Sequence, residues 1–222
     1  MPKQCSRRYA GRLLAILTTV LGVALAAGCG GGDSSTAPPP PDSTTTKPES
    51  DLHFMHASDS APPLAQKSVT FYAVRGEDRE VRLFYHARPG RNDSTEFLRF
   101  RVRSGSLVQR PDGTPIAEGD SIPITITVAD TTRLIVQFEP SGLTFATTDP
   151  ARLTLKYAEE DDDLNDDGHV DATDLALKPL LGLWRQESPS DPWILLPTSV
   201  SLVISDEVEA DVPGFTRYAM AY

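Results

Sequence analysis

Leu98-Arg99-Phe100-Arg101-Val102-Arg103 alternates apolar and charged side chains without a break. Successive side chains of a strand point to opposite faces, so this period of two makes one dry face and one wet face. The same beat recurs at Ile122, Ile124, Ile126 and Val128, at Leu134, Val136 and Phe138, and at Leu153, Leu155 and Tyr157. It returns at Val208, Ala210 and Val212, and Phe215 to Tyr222 is a further extended, aromatic run. Turn chemistry separates these stretches: Arg88-Pro89-Gly90, Pro111-Asp112-Gly113, Glu118-Gly119-Asp120, Pro140-Ser141-Gly142 and Pro213-Gly214. Short strands with one solvated face each predict an all-β chain, an antiparallel β-sandwich. The row Arg99, Arg101, Arg103 then belongs to the solvated outer face rather than to an anion site. Alternation does not define the fold of residues 69–110 outside this stretch.

Composition bounds the rest. The chain has 222 residues, 39% hydrophobic and 23% charged, with 2 cysteines and a formal charge of −10. That suits one folded domain plus a segment without a core, not a multi-span membrane protein or a disulfide scaffold. The acidic balance excludes a nucleic-acid binder, which needs a basic face.

The first twelve residues carry Lys3, Arg7, Arg8 and Arg12 and no acid, and Leu13 to Ala27 is apolar apart from Thr18 and Thr19. This has the layout of a signal peptide, too short to span a bilayer. Leu25-Ala26-Ala27-Gly28-Cys29 resembles the lipobox of bacterial lipoproteins. The resemblance implies cleavage after residue 28, a lipid on Cys29, and anchoring in the cell envelope. Gly30 in place of an Asp favours the outer membrane over the inner. Losing the four basic residues and no acid would take the formal charge from −10 to −14. Residues 29–66 then read as a disordered Gly/Ser/Thr/Pro tether, since Gly30 to Asp51 offers little to bury against its ordering entropy. His53 and His56 sit at metal-ligand spacing, but in this Pro- and Ser-rich setting they read as tether residues. The folded domain is expected over 67–222.

Part of that domain resembles ZU5-like β-sandwich domains. The likeness rests on Phe138-Glu139-Pro140-Ser141-Gly142-Leu143-Thr144-Phe145, on Pro150 to Leu155, on Trp193 to Pro197, and on the ending Pro213 to Tyr222, with Pro-Gly where that family has His. The resemblance implies an interaction or structural module with no catalytic residue.

One segment carries chemistry. Nine of the 31 acidic residues lie between Glu159 and Asp174, where there is no Lys or Arg. Asp163-Leu164-Asn165-Asp166-Asp167-Gly168-His169-Val170-Asp171-Ala172-Thr173-Asp174 places oxygen donors at positions 1, 3, 5, 9 and 12 of an EF-hand-type loop, with Gly at the sharp turn. Asp163, Asn165, Asp167, Asp171 and Asp174 would offer side-chain oxygens to Ca²⁺, and His169 its backbone carbonyl. Val170 is expected to pack inward. Asp in place of Glu at the last position predicts weak binding, roughly 10⁻⁴ to 10⁻³ M. The loop resembles a dockerin calcium repeat, although a dockerin has two. It is expected as an insertion at about 159–186 carrying one short helix, folded back by Leu180, Leu181, Leu183 and Trp184. Trp184 and Trp193 are expected inside rather than as an exposed sugar platform.

No Gly-x-Ser-x-Gly elbow or His-Glu-x-x-His motif is present, and His86 and His169 are the only histidines of the expected domain. The reading is therefore a non-catalytic, lipid-anchored, calcium-binding envelope protein that meets a protein or glycan partner. The alternatives are a glycan-active or hydrolase-associated surface module and a dockerin-like assembly module.

Overall fold

The alternating stretch is a strand, Glu96–Val102, whose Leu98, Phe100 and Val102 are buried while Arg101 is exposed. In the computed structural model, which describes residues 44–91 and 93–222, fourteen strands and one short helix follow in order. They begin with β1 (Thr46–Lys47), β2 (Ser68–Val74), β3 (Arg79–Phe84), β4 (Glu96–Val102), β5 (Leu107–Gln109), β6 (Ser121–Asp130) and β7 (Ile135–Glu139). Then come β8 (Thr144–Phe145), β9 (Ala151–Lys156), α1 (Ala172–Leu177), β10 (Gly182–Gln186) and β11 (Trp193–Leu195), and finally β12 (Val200–Leu202), β13 (Glu207–Val212) and β14 (Arg217–Ala221). The signal segment 1–28, Cys29 and the tether residues up to 43 lie outside the described residues.

Two antiparallel sheets form the sandwich, ordered β1-β11-β10-β14-β7-β6-β2 and β12-β13-β9-β4-β3, and β5 pairs separately with β8. Their inner faces meet in an aromatic cluster: Phe100 lies 4.9 Å from Phe138, which in turn lies 5.2 Å from Phe215 and 5.5 Å from Tyr218. Each such buried ring stabilises the fold by roughly 1.5–3 kcal/mol over its exposed state. The arginine face is the outer, solvated one, as its alternation predicts. Arg101 meets Asp78 at 2.6 Å, Arg99 approaches Glu96 at 3.4 Å and Glu207 at 3.6 Å, and Arg152 bridges Glu209 and Asp211. These are surface pairs, each worth at most about 1 kcal/mol.

Three expectations are corrected. The ordered chain begins by residue 44, not at 67. Residues 44–58 form a strap whose Lys47 pairs with Trp193, whose His53 and Tyr222 exchange backbone bonds, and whose Met55 N–H donates to Met220 at 3.0 Å. Leu52, Phe54 and Met55 are buried. Three large apolar residues in a polar segment suffice because β14 offers them a strand edge and a sheet face. Second, the insertion ends at 181. Gly182–Gln186 is β10, an interior strand, with Leu183 in the main core and Trp184 beneath the strap. Burial on both faces removes the alternation that would mark it as a strand. Leu181, Leu183 and Trp184 pack as expected, but Leu180 is exposed. Third, Val170 points to solvent, 64% exposed, since no described residue covers it.

Candidate metal centre

The loop leaves β9 through Tyr157 and turns at Glu159-Glu160, where strap and loop join: Ser58 N–H donates to the Glu159 carbonyl and Asp161 N–H to that of His56. Glu159 is held by Arg88 and by Thr95 Oγ1 at 2.7 Å. Glu160 is buried, accepts one bond from Tyr85 Oη at 2.8 Å, and leaves Oε2 without a partner. Burial pushes its carboxyl up to about 8, against the lowering effect of the Tyr85 bond and with help from the charge of Glu159.

Beyond Asp161 the chain winds into the predicted loop. Asp163 accepts from the N–H groups of Asp167 (3.1 Å) and Gly168 (2.7 Å), Asn165 Oδ1 from Asp167 N–H (3.0 Å), and Asp167 Oδ1 from His169 N–H (2.9 Å). Gly168 sits at φ +85°, a conformation that L side chains reach only under strain. Asp171 caps α1 through Thr173 N–H at 2.7 Å, and Asp174 closes a capping box onto Asp171 N–H at 2.8 Å. The other oxygen of Asp174 takes the N–H groups of Leu164 and Asn165, tying the end of the loop to its beginning. These backbone donors, that of Asp171 foremost, hold the Asp174 carboxyl below the usual carboxylate range.

The structure thus brings Asp163, Asn165, Asp167, Asp171 and Asp174 into one closed turn, with His169 exposed at its tip. It does not converge them: among the described residues no three His, Cys, Asp or Glu side chains stand close enough to share a metal ion. The side chains bond instead to the loop's own N–H groups. The donor set is all oxygen, with no thiolate or imidazole needed, and that chemistry fits a hard cation such as Ca²⁺.

Sequence reasoning missed the setting of this loop. Tyr222 Oη donates to the Leu164 carbonyl at 2.5 Å, and the His53 ring stacks on Tyr222 at 5.0 Å. His53, His56, Asp161, Asp163 and Tyr222 line a cavity of about 170 Å³ between strap and loop. His53 and His56 thus belong to the folded domain; the signal available was their place beside Phe54 and Met55. No described helix is long and apolar enough to cross a membrane. No protein-family model, curated protein or solved structure matches the chain.

Proposed function

We propose that this is an exported, lipid-anchored calcium-binding protein of the cell envelope, a non-catalytic β-sandwich serving as a structural or interaction module. The observation that carries the reading is the loop 163–174, whose oxygen side chains stand at calcium-loop spacing and whose backbone winds into one closed turn at Gly168. Asp163, Asn165, Asp167, Asp171 and Asp174, with the His169 carbonyl, would hold the ion. Bound Ca²⁺ would supply positive charge among nine acids that have no Lys or Arg between them. The chain's own residues do the remaining work: Asp161 and Leu164 tie the loop to His56 and Tyr222, so any stiffening of the loop reaches the strap and the last strand.

Calorimetric titration of the full chain with CaCl₂ tests this, beside thermal melts with calcium and with chelator. We expect one site with a Kd of roughly 10⁻⁴ to 10⁻³ M. At about 10 mM Ca²⁺ that site stabilises the fold by roughly 1.4–2.7 kcal/mol. Asp163→Ala and Asp167→Ala should abolish both effects. Absence of heat and of any melting shift up to several millimolar would remove calcium from the reading.

A further inference from the structure

Every open sheet presents two edges, and an edge strand with free N–H and C=O groups is a template for another chain unless it is blunted. Three of the four edges of this sandwich are blunted. β1 and β12 are two and three residues long, and β3 carries Arg79, Glu80 and Arg82 and a register shift at Leu83/Phe84. The fourth, β2, has none of these devices. Ser-Val-Thr-Phe-Tyr-Ala-Val runs for seven residues with no charge and no proline, in unbroken register with β6. Five of its seven residues, Val69, Thr70, Phe71, Tyr72 and Val74, are strong strand formers. Among the described residues no strand pairs with its other side.

The direction of its backbone groups follows from the ladder. Val128 N–H donates to the Lys67 carbonyl at 2.8 Å, so Lys67 and Val128 are a hydrogen-bonded pair and every second residue after them faces β6. Val69, Phe71 and Ala73 therefore spend their N–H and C=O on β6, whereas Ser68, Thr70 and Tyr72 turn theirs outward. Two further observations agree. Thr70 and Thr125 hydroxyls meet at 2.8 Å and those of Ser68 and Thr127 at 3.0 Å, the close approach of non-hydrogen-bonded pairs. Pro123, which has no N–H, stands opposite Tyr72. Tyr72 is itself 65% exposed.

We infer that the chain pairs with a second copy of itself along the outer edge of β2, antiparallel about a two-fold axis at Phe71. Charge selects this occupant. The chain carries −10 overall, so most faces of two copies repel, yet this edge and the Ser68, Thr70, Tyr72 face beside it are uncharged. The strand also matches its own reverse. With Phe71 opposite Phe71, Thr70 of one copy exchanges backbone bonds with Tyr72 of the other, and the twin pair repeats this. Val69 then faces Ala73, and the central pair is aromatic on aromatic, a favourable cross-strand neighbour. The contact is isologous and closes at two copies. Lys67 and Arg75 flank the strand, and their like charges disfavour extending the pairing beyond it. Arg75 is turned back to the Leu107 carbonyl and Glu118.

The test is the protein mass of the full chain, purified in detergent from whole bacterial cells whichever fraction holds it, by light scattering from about 1 to 100 µM. Amide exchange at Thr70 and Tyr72 is followed over the same range. We expect a two-chain mass and protection of both amides that rises with concentration. Thr70→Lys puts a charge at an exposed position, leaves the folded chain intact by circular dichroism, and should weaken association at least about tenfold. Ile204→Lys, in the exposed turn after β12, should change nothing. A one-chain mass with concentration-independent exchange would leave the edge to an extended segment of a different protein and overturn the inference. So would a dimer that survives Thr70→Lys or is lost in Ile204→Lys.

Discussion

Glu160 is the acid whose surroundings most oppose its charge. It is buried, bonded once to Tyr85, and beside Glu159, so its carboxyl stays protonated to about pH 8 in the fold, whereas its ordinary value is 4.5. Between those two values the unfolded chain has released a proton that the folded chain keeps. Stability therefore falls as pH rises through the window, by about 1.4 kcal/mol per pH unit from this one group. Gln keeps an acceptor for Tyr85 Oη and does not ionise. Urea unfolding should find Glu160→Gln and the parent matched near pH 4.5 and the variant ahead by roughly 3–4 kcal/mol at pH 7.5. Equal stabilities at both values would mean that water reaches this carboxyl. Nothing in the run Glu159 to Asp163 distinguishes the largely unpaired Glu160 from Glu159, which is buried but held by Arg88 and Thr95, or from the aspartates that follow. The residues of the turn 163–174 are different: their spacing is local, and the turn at Gly168 is written into the same twelve residues.

At the scale of elements the strap is the main departure from the sequence reading. Phe54 meets Trp193 edge-on at 5.3 Å, Arg133 lies over its ring, and with Leu52 it covers Ile135, Trp184, Ala219 and Ala221. The backbone pairing of 53–55 continues along β14, past the two residues that β7 matches. Phe54→Ala should therefore cost roughly 3 kcal/mol and shift tryptophan emission to the red, because both tryptophans lie in this cluster. A loss below about 0.5 kcal/mol, the scale of an ordinary surface substitution, would show the strap to be a passive cover. Period-two strands such as β4, β6 and β9 were legible because one face of each is wet. β10 was not, since the strap dries its second face, and the strap was not, since its apolar residues are few and its partners lie more than a hundred residues away.

At the scale of the whole molecule, charge is unevenly distributed. The outer face of the five-stranded sheet pairs arginines with acids, while residues 159–174 hold nine acids with no Lys or Arg among them. Glu160 is protonated, Glu159 meets Arg88 and Asp162 meets Lys178, so the uncompensated negative charge lies mostly in the turn 163–174, where a divalent cation would neutralise it. A lipid on Cys29 would hold that loop, the uncharged β2 edge and the sandwich at an envelope surface, where two copies are brought together. Expressed in a diderm bacterium, the chain should fractionate with outer membranes and carry a diacylglyceryl mass on Cys29, whereas Cys29→Ser should not. Recovery of the parent chain in the soluble fraction would sink the anchor.

Local pattern was enough for the class of fold, for the turns and for the closed turn at Gly168, because alternation, Gly and Pro punctuation and Asp-to-backbone hydrogen bonding all act over a few residues. Tertiary structure decided which stretches share a face. It drew the strap into the domain, made β10 an interior strand, buried Glu160 under Tyr85, and left β2 alone with an open edge. Each of these depends on what lies across the chain from a residue rather than beside it, and burial, unlike periodicity, is a property of the neighbour.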